Sequence, residues 1–474
     1  MPTSAGMGKL KEKTTWIRDE IAHFCAKMTF DALPEETVQL TKVCLMDQIC
    51  LMIASNGTYT EDYPDIVKFV REMGGKQEST IIGSGGKVPC LNATLVNTAI
   101  GVNEHFDAVH KSTILHVPAS LLPGLLAVAE NQKTNGKDLI LAAVIGSEIM
   151  TRFGMSLRPR ETYARGFHPT AVCAPLGCAV GAGKLLGLEE GELAEALSIA
   201  STQAAGSSVW GGPIHPATWS FQVGRAAESG VMAAMLAQIG FSGVDRIFED
   251  ERGFFYAYSQ NPDPTKLTEG LGQRYDIREL SFKRFGVGIY IMTSIEALLQ
   301  ILHEHEISAE NIEEITVKLP TVVVPLVGFP AYPENRACTH LNTRYILAAT
   351  AYMGSDMIYN MELFGPKRRK DPRVIELFKR IDLVGDPELD KLFPEKKPCI
   401  LGIKTKDGEQ FSQRNDGPFK GDPENPLSEG DVETKFNKIT VPILGPQKAS
   451  QIISMIKQLD VLDDISQLVD LLVV

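Results

Sequence analysis

Residues 174–188, APLGCAVGAGKLLGL, combine an apolar helical pattern with glycines at Gly177, Gly181, Gly183 and Gly187. A glycine inside a helix costs about 0.5–1 kcal/mol relative to alanine. The compensating gain is a close approach of neighbouring helices, which suits a helix buried at the centre of a bundle. The stretch is too short and interrupted for a membrane GxxxG span. It therefore predicts the central helix of a soluble helical bundle.

The sequence around this stretch also has the spacing of helices. Pro34, followed by Glu35 and Glu36, is a favourable helix start. The pair Ile81-Ile82 differs, because it predicts a short strand before a glycine turn. Small residues recur inside the apolar segments 200–208 and 224–240. Apolar residues recur every three or four positions at residues 15–28, 35–54, 92–101, 119–130 and 137–153.

The pattern changes after Arg284. Residues 312–319 alternate as a strand does, and residues 322–327 are rich in β-branched side chains. The turn Lys406-Asp407-Gly408 between residues 398–405 and 409–413 indicates a β-hairpin. Helical spacing is found at residues 293–303, 342–353 and 373–380. It returns, after a linker-like segment at 415–426, in residues 430–439, 448–458 and 465–472.

The fold class predicted from this order is mainly α with an α+β lid. A chain of 474 residues is long for a single core, so two domains are expected. Residues 1–280 and 426–474 form an all-helical domain built from both chain ends. Residues 281–425 form an α+β domain that is inserted into it.

Bulk composition excludes several classes of protein. The formal net charge of -12 argues against a nucleic-acid partner, which would need a basic surface. The eight cysteines contain no CxxC pair and are interpreted as reduced and structural. No secretory h-region follows the polar N-terminus. The longest apolar stretch, 139–149, is broken by Gly146 and indicates a buried helix, so no membrane partner is expected and the cytoplasm is the expected compartment.

Residues 103–116, here called the histidine loop, contain His105, His110 and His116 together with Asp107. The loop connects two predicted helices, a position in which catalytic groups are common. Its imidazoles and carboxylates could bind an anion and move a proton near neutral pH. A solvated polar loop is the alternative. A metal site is disfavoured because no HxxxH, HxxE or cysteine partner is present at ligand spacing.

Three further segments carry candidate residues. His168 precedes Pro169 and is expected at a helix N-terminus, where an anion can meet free N–H groups. Lys283 and Arg284, between two phenylalanines at the domain junction, suit carboxylate recognition. The loop 211–219, with His215 and Trp219, could line a pocket. Each segment could equally be structural, as a capped histidine, a solvated charge pair and a turn. No complete phosphate-binding glycine pattern is found.

These residues resemble the MmgE/PrpD family over nearly the whole chain. The resemblance is carried by the run from Asp107 to His116 with Pro118-Ala119-Ser120, by Gly166-Phe167-His168-Pro169, by residues 181–188, by Phe282-Lys283-Arg284-Phe285 and by residues 427–436. The family includes 2-methylcitrate dehydratase, cis-aconitate decarboxylase and iminodisuccinate epimerase. The resemblance implies a helical domain with an α+β lid, a homodimer, a small polycarboxylate as substrate, and no cofactor or metal.

Site residues follow from the same resemblance. It assigns a catalytic role to the imidazoles and charged groups of the matching motifs, and substrate contacts to their neighbours. The catalytic set is His116, His168, Lys283, Asp107 and His110. The substrate-binding set is Arg284, Trp219, Thr113, His105 and Arg165.

Three departures bear on the substrate. Trp219 stands where cis-aconitate decarboxylases have a second lysine, His105 replaces an acidic residue, and Val324 lies near a lid tyrosine of the animal enzyme. A pocket without that cation and phenol favours fewer carboxylates or a more apolar arm, against which Trp219 could form a wall.

Proton transfer next to a carboxylate, with His116 or His168 as the base, is therefore expected. The preferred reaction is dehydration, followed by epimerisation or isomerisation and then decarboxylation. A non-catalytic, carboxylate-binding dimer is the alternative outside enzymes.

Overall fold

A computed structural model describes residues 16–56, 66–208 and 218–474. Within these ranges the chain is mainly helical, as predicted. Its α-helices are α1 (Ile17–Lys27), α2 (Glu35–Asn56), α3 (Ile66–Met73), α4 (Cys90–Val102), α5 (Val117–Gln132), α6 (Gly136–Leu157), α7 (Pro159–Ala164), α8 (Pro169–Leu185), α9 (Glu190–Ser201), α10 (Thr218–Gln238), α11 (Phe254–Tyr258), α12 (Met292–Glu304), α13 (Val324–Val327), α14 (Thr343–Met353), α15 (Pro366–Arg369), α16 (Pro372–Phe378), α17 (Pro387–Asp390), α18 (Glu429–Leu444), α19 (Pro446–Lys457) and α20 (Ser466–Val469). Its strands are β1 (Ser79–Thr80), β2 (Lys87–Val88), β3 (Val109–His110), β4 (Leu280–Ser281), β5 (Ile312–Leu319), β6 (Ile381–Gly385), β7 (Cys399–Thr405) and β8 (Gln410–Asn415).

Helix α8 lies at the centre of the bundle, where it contacts α5, α6, α9 and α10. Its glycines allow the close approach that the sequence predicts. A Cβ atom added at Gly177 would lie 2.6 Å from the main-chain oxygen of Gly146 on α6. On the other side, a Cβ atom at Gly230 of α10 would meet the carbonyl of Pro175. Side chains at these crossings would force the backbones apart. The close packing therefore offsets the conformational cost of placing glycine within α8.

The C-terminal helices return to the first helices of the chain. Both α18 and α19 contact α2. At the centre of this contact, Lys435 Nζ of α18 donates to Asp47 Oδ1 of α2 over 2.6 Å. Both side chains are almost fully buried, so this ion pair joins the two chain ends inside the protein.

A four-stranded sheet forms between the two helical parts of the sequence, in the order β6-β5-β7-β8. Strand β5 is parallel to β6 and antiparallel to β7, and β7 and β8 form the predicted hairpin. Strand β6 was not predicted. The β-branched residues at 322–327 form a short helix, α13, rather than extended structure, because Pro325 stands at its favourable first turn. Strand β1 directly precedes the predicted Ile81-Ile82 strand, so the observed strand begins two residues earlier.

Two helices have the length and mean hydropathy of a membrane span, over residues 35–55 and 136–157. However, 83% and 94% of these windows are buried inside the structure. The second window contains the stretch predicted to be a buried helix. All eight cysteines are free and buried, as the sequence predicts.

Candidate active site

A cavity of about 630 Å³ lies between the helical bundle and the region that carries the sheet. Side chains from both parts of the chain line it. Five of the residues singled out from the sequence are on its wall. They are His105, His116, His168, Trp219 and Lys283.

The histidine loop is held at both ends in unusual backbone conformations. His105 and Ile114 have positive φ angles, of 49° and 60°. A left-handed conformation is a true outlier for a β-branched residue such as Ile114, so the surrounding contacts must impose it. The amide of Ile114 donates to the carbonyl of His110 over 2.8 Å, which closes a tight turn. This turn is what brings His116 back over Asp107.

A two-residue ribbon joins this loop to the segment that carries Lys283. Strands β3 and β4 are antiparallel, with Val109 opposite Ser281 and His110 opposite Leu280. The ribbon fixes the register between two segments that are far apart in the sequence. It therefore sets the position of Lys283 relative to Asp107 and His116.

Asp107 is fully buried and contacts two of the predicted catalytic groups. Its Oδ2 atom lies 2.6 Å from His116 Nδ1, and its Oδ1 atom lies 3.9 Å from Lys283 Nζ. Burial opposes ionisation of Asp107, but the adjacent His116, including its hydrogen bond, and the ammonium of Lys283 outweigh it and hold its pKa below the usual value. Asp107 is therefore a carboxylate that accepts a hydrogen bond from His116 Nδ1–H.

Lys283 has only 1% of its side chain exposed, yet it forms part of the cavity wall. Its ammonium donates to the main-chain oxygen of His105 over 2.7 Å. Burial lowers the pKa of Lys283 to about 8, with Asp107 acting in the opposite direction. An ammonium has three N–H donors, so the bond to His105 leaves donors available for a bound acid.

His168 occupies the N-terminal cap position of α8, as predicted from Pro169. Gln222 Nε2 lies 3.1 Å from His168 Nδ1 and 3.3 Å from the carbonyl of Ser207. An amide NH₂ group placed against two acceptors assigns the lone pair to Nδ1 and the proton to Nε2. Burial, and secondarily the charge of His116, lower the pKa of His168 to about 3. This imidazole is therefore neutral.

Trp219, at the start of α10, lies among the three imidazoles. Its ring stacks on His105 with 4.1 Å between centroids. It also meets His116 edge-on at 5.4 Å and lies 6.2 Å from His168. Trp219 therefore forms the wall against which the imidazoles pack. We call this group, with Lys283, the Trp219 site.

Other candidate residues lie away from the cavity surface. His110 is buried behind the loop, where its Nδ1 atom lies 2.8 Å from Thr113 Oγ1. Burial, followed by the charges of Arg274 and Lys397, lowers the pKa of His110 to about 3. His110 and Thr113 thus shape the turn from inside.

The two predicted arginines are also outside the cavity lining. Arg284 lies 3.8 Å from Glu296, and its guanidinium lies 5.6 Å from the centroid of the Phe285 ring. Arg165 is exposed and donates to the carbonyl of Ala257. Of the predicted loop 211–219, residues up to 217, including His215, lie outside the described residues.

The cavity also contains polar groups that the sequence reasoning missed. Arg160 and Tyr163 of α7 line it, as does Tyr290 from the turn at residues 289–291. Burial raises the pKa of both tyrosines well above the usual value. Their hydroxyl groups therefore remain protonated at neutral pH. The three-residue spacing of Arg160 and Tyr163 could have indicated this pair, because it places both side chains on one face of a helix.

A second layer of buried charges supports the histidine loop from below. Lys435 Nζ donates to the carbonyl of Phe106 over 2.7 Å, in addition to its contact with Asp47. Arg336 pairs with the fully buried Glu104 from the opposite side. Glu104 and Phe106 flank His105, whose carbonyl holds Lys283. These two ion pairs therefore fix the backbone on which the Trp219 site is built.

Two domain types match the chain in order. The MmgE/PrpD N-terminal domain matches residues 19–267, and the MmgE/PrpD C-terminal domain matches residues 285–461. Cis-aconitate decarboxylase of Mus musculus is 28% identical over 457 residues, which cover 93% of this chain and 90% of the relative. Cis-aconitate decarboxylase of Aspergillus terreus is 24% identical over 480 residues, with 96% of each chain covered. The similarity extends over nearly the whole chain.

Proposed function

The chain belongs to the MmgE/PrpD family, and from this premise we propose that it is a lyase that acts next to a carboxylate of a small polycarboxylic acid. One observation carries the proposal. His116 Nδ1 contacts Asp107 at 2.6 Å on the wall of a cavity, with the Lys283 ammonium 3.9 Å from the same carboxylate. Relatives named as cis-aconitate decarboxylases support a reaction on a carboxylic acid.

His116 is the proposed base. Because Nδ1–H donates a hydrogen bond to Asp107, the lone pair of the neutral His116 imidazole is on Nε2. The imidazolium that forms when Nε2 takes a proton from carbon is stabilised by the buried carboxylate beside it. A positioned base of this kind typically contributes about 10²–10⁴-fold to the rate.

Lys283 is the proposed electrophile. Loss of a proton next to a carboxylate places negative charge on the carboxylate oxygens, as in an enolate. An ammonium that is already held in place by the His105 carbonyl stabilises that charge without reorganisation. With a pKa of about 8, Lys283 is mostly charged at neutral pH.

His168 is proposed as a hydrogen-bond donor to the leaving group. It is neutral, and its Nε2 atom carries the proton, so it can polarise a departing hydroxyl but does not readily give up a whole proton. The proton that His116 takes from carbon then has to reach the leaving oxygen. If His116 delivers it, the proton and the hydroxyl leave from the same face. We therefore prefer a syn dehydration, in which the proton and the hydroxyl leave from the same face of the substrate.

Decarboxylation is the second candidate, and the names of the relatives favour it. In that reaction the carbon–carbon bond to a departing carboxylate breaks. Lys283 would stabilise the charge left behind, and protonated His116 would deliver its proton to the carbon. The same side chains serve both reactions, so the substrate decides between them.

We also infer that residues 281–425 act as a lid over the helical part. The mixed lining of the cavity supports this division, since Lys283 and Tyr290 face residues of α7 and α10. A homodimer and a reaction without metal or cofactor are further proposals. Light scattering of the purified protein, and activity after exhaustive chelation, would test them.

Product analysis tests the proposed function. Chelator-treated protein would be incubated with 2-methylcitrate, citrate, cis-aconitate, iminodisuccinate and a longer alkylcitrate. Loss of water from one of them, detected by mass spectrometry, is the expected result. Loss of carbon dioxide would select decarboxylation. Products of unchanged mass, or no product from any acid, would contradict the proposed lyase.

A further inference from the structure

We propose that Arg160, Tyr163 and Tyr290 form a second acid-binding site, the Phe393 site, which holds another carboxylate of the substrate. The inference rests on the proposed function, because it assigns a position to a second acidic group of the same molecule. It is separate from the Trp219 site, whose imidazoles gather around a different aromatic ring.

Contacts with Phe393 bring two of these side chains together, and the third lies beside Arg160 on α7. Arg160 Nη2 donates to the carbonyl of Phe393, and its guanidinium lies 5.6 Å from the centroid of the Phe393 ring. The ring of Tyr290 lies 5.9 Å from the same ring. Tyr163 is three residues from Arg160 on α7, and burial followed by the nearby phenol of Tyr290 raises its pKa. All three side chains line one cavity.

Arg160 has the chemistry of a carboxylate receptor. A guanidinium has five N–H donors in a planar fork that matches the two oxygens of a carboxylate. In this structure Arg160 donates to a neutral main-chain carbonyl, and it makes no ion pair with any carboxylate among the described residues. Its guanidinium is therefore not engaged by a carboxylate, and donors remain for a ligand.

The neighbouring groups favour the same ligand. Both phenols remain protonated at neutral pH, so each can donate to an acid. Asp390 lines the cavity as well, but its oxygens already accept from Thr321, with the main-chain N at 2.6 Å. The donors near Phe393 that remain for an anion are therefore those of Arg160 and the two phenols.

The Phe393 site could replace the family side chains that this sequence lacks. Trp219 and Val324 stand where the resemblance would place a lysine and a tyrosine. Arg160 and the two phenols supply a cation and hydroxyl donors from other segments. The cavity wall also includes the apolar side chains of Val322 and Leu326. The substrate class this implies is an acid with at least two carboxylates separated by an apolar stretch.

Calorimetric binding of two unreactive acids tests the inference. Glutarate and pentanoate have chains of equal length that carry two carboxylates and one. Wild-type protein should bind glutarate more tightly. Arg160→Gln should weaken glutarate by about 10- to 100-fold, the value of a charged hydrogen bond, and pentanoate by less than about threefold. Tyr290→Phe should weaken glutarate by about 2- to 10-fold.

The control is Arg158→Gln, which removes an exposed arginine of the same segment that lies 3.8 Å from Asp263 and does not line the cavity. It should leave both affinities unchanged. Equal weakening of both acids by Arg160→Gln would mean that the side chain only supports the cavity wall. Equal affinity of wild-type protein for the two acids would also reject the Phe393 site. Turnover of a polycarboxylate alongside either result would leave the proposed function intact. If Arg160→Gln selectively weakened glutarate binding but the protein turned over no acid, only the proposed function would be contradicted.

Discussion

The Trp219 site and the Phe393 site share one cavity but are built differently. At the Trp219 site, Lys283 and His168 are almost completely buried, and each is held by a further hydrogen bond. At the Phe393 site, Arg160 is exposed and donates to the main-chain carbonyl of Phe393. Groups that must keep a fixed geometry and a shifted pKa need such support, whereas a group that only attracts a carboxylate does not. The difference indicates chemistry at the first site and recognition at the second.

The support of the Trp219 site comes from distant parts of the chain. Lys435 of α18 and Asp47 of α2 hold the carbonyl side of Phe106, while Arg336 holds Glu104. This explains what the returning C-terminal helices contribute to function. They carry a buried charge beneath the loop that positions Asp107. We therefore expect variants at the Trp219 site and its supporting residues to change kcat and stability. Variants at the Phe393 site should change KM.

The largest effect should come from removing Lys435. Lys435→Met leaves Asp47 as an unpaired buried charge, which typically costs about 3–5 kcal/mol of stability. Urea unfolding followed by circular dichroism would measure the loss. The double variant Lys435→Met/Asp47→Leu removes both charges and should recover much of it. A Lys435→Met protein as stable as wild type would show that the support of the loop lies elsewhere.

Lys283→Met should come next, with kcat reduced by about 10²–10³-fold, as for other positioned donors. KM should change far less, because the Phe393 site still binds substrate. Lys379→Met, which removes an exposed lysine paired with Glu376, is the matched control. A rise in KM with kcat unchanged would instead make Lys283 a plain binding residue.

A smaller loss is expected for Asp107→Asn, since His116 remains but its orientation and charge are no longer stabilised. We expect kcat to fall by about 10²-fold, at the lower end of what a positioned base contributes. Steady-state kinetics on the confirmed substrate would measure the change. A reduction in kcat of less than threefold would mean that Asp107 does not take part in the reaction.

The pH dependence sharpens the comparison further. Lys283 is surrounded by the charges of Asp107, Lys435 and Asp47, and its pKa is about 8. As the pH rises through that value the ammonium is lost, so kcat/KM should fall by about tenfold per pH unit above it. Arg160→Gln should lower the whole profile without moving this limb, because a guanidinium stays charged. If the alkaline limb moved in Arg160→Gln, the ionisation behind it would belong to the Phe393 site and not to Lys283.

How much the sequence predicted differs between the two sites. His116 and Asp107 stand in one short loop, and His168 is placed at a helix start by Pro169, so local patterns predicted these positions, whereas their grouping into one site came from the family resemblance. Lys283 and Arg284 are adjacent, and no local pattern shows that the first faces the cavity while the second lies near Glu296.

The Phe393 site could not be predicted in the same way. Arg160 and Tyr290 both contact Phe393, which is 233 positions from Arg160 in the chain, so their grouping depends on tertiary structure. The same holds for Lys435, which lies 329 positions from the Phe106 residue that it supports. The helices and the hairpin were predictable because their periodicity is local.

Proton NMR in D₂O with chelator-treated protein tests the central claim most directly. Proton transfer at a carbon next to a carboxylate must remove, exchange or replace a hydrogen there. Dehydration removes one C–H resonance of the substrate as the alkene forms, whereas exchange or decarboxylation places solvent deuterium on that carbon. We predict that wild-type protein produces one of these changes in one polycarboxylate, and that Asp107→Asn and Lys283→Met slow it while Lys379→Met does not. Turnover of a polycarboxylate that leaves every hydrogen next to its carboxylates in place and undeuterated would contradict the account, as would equal rates in all four proteins.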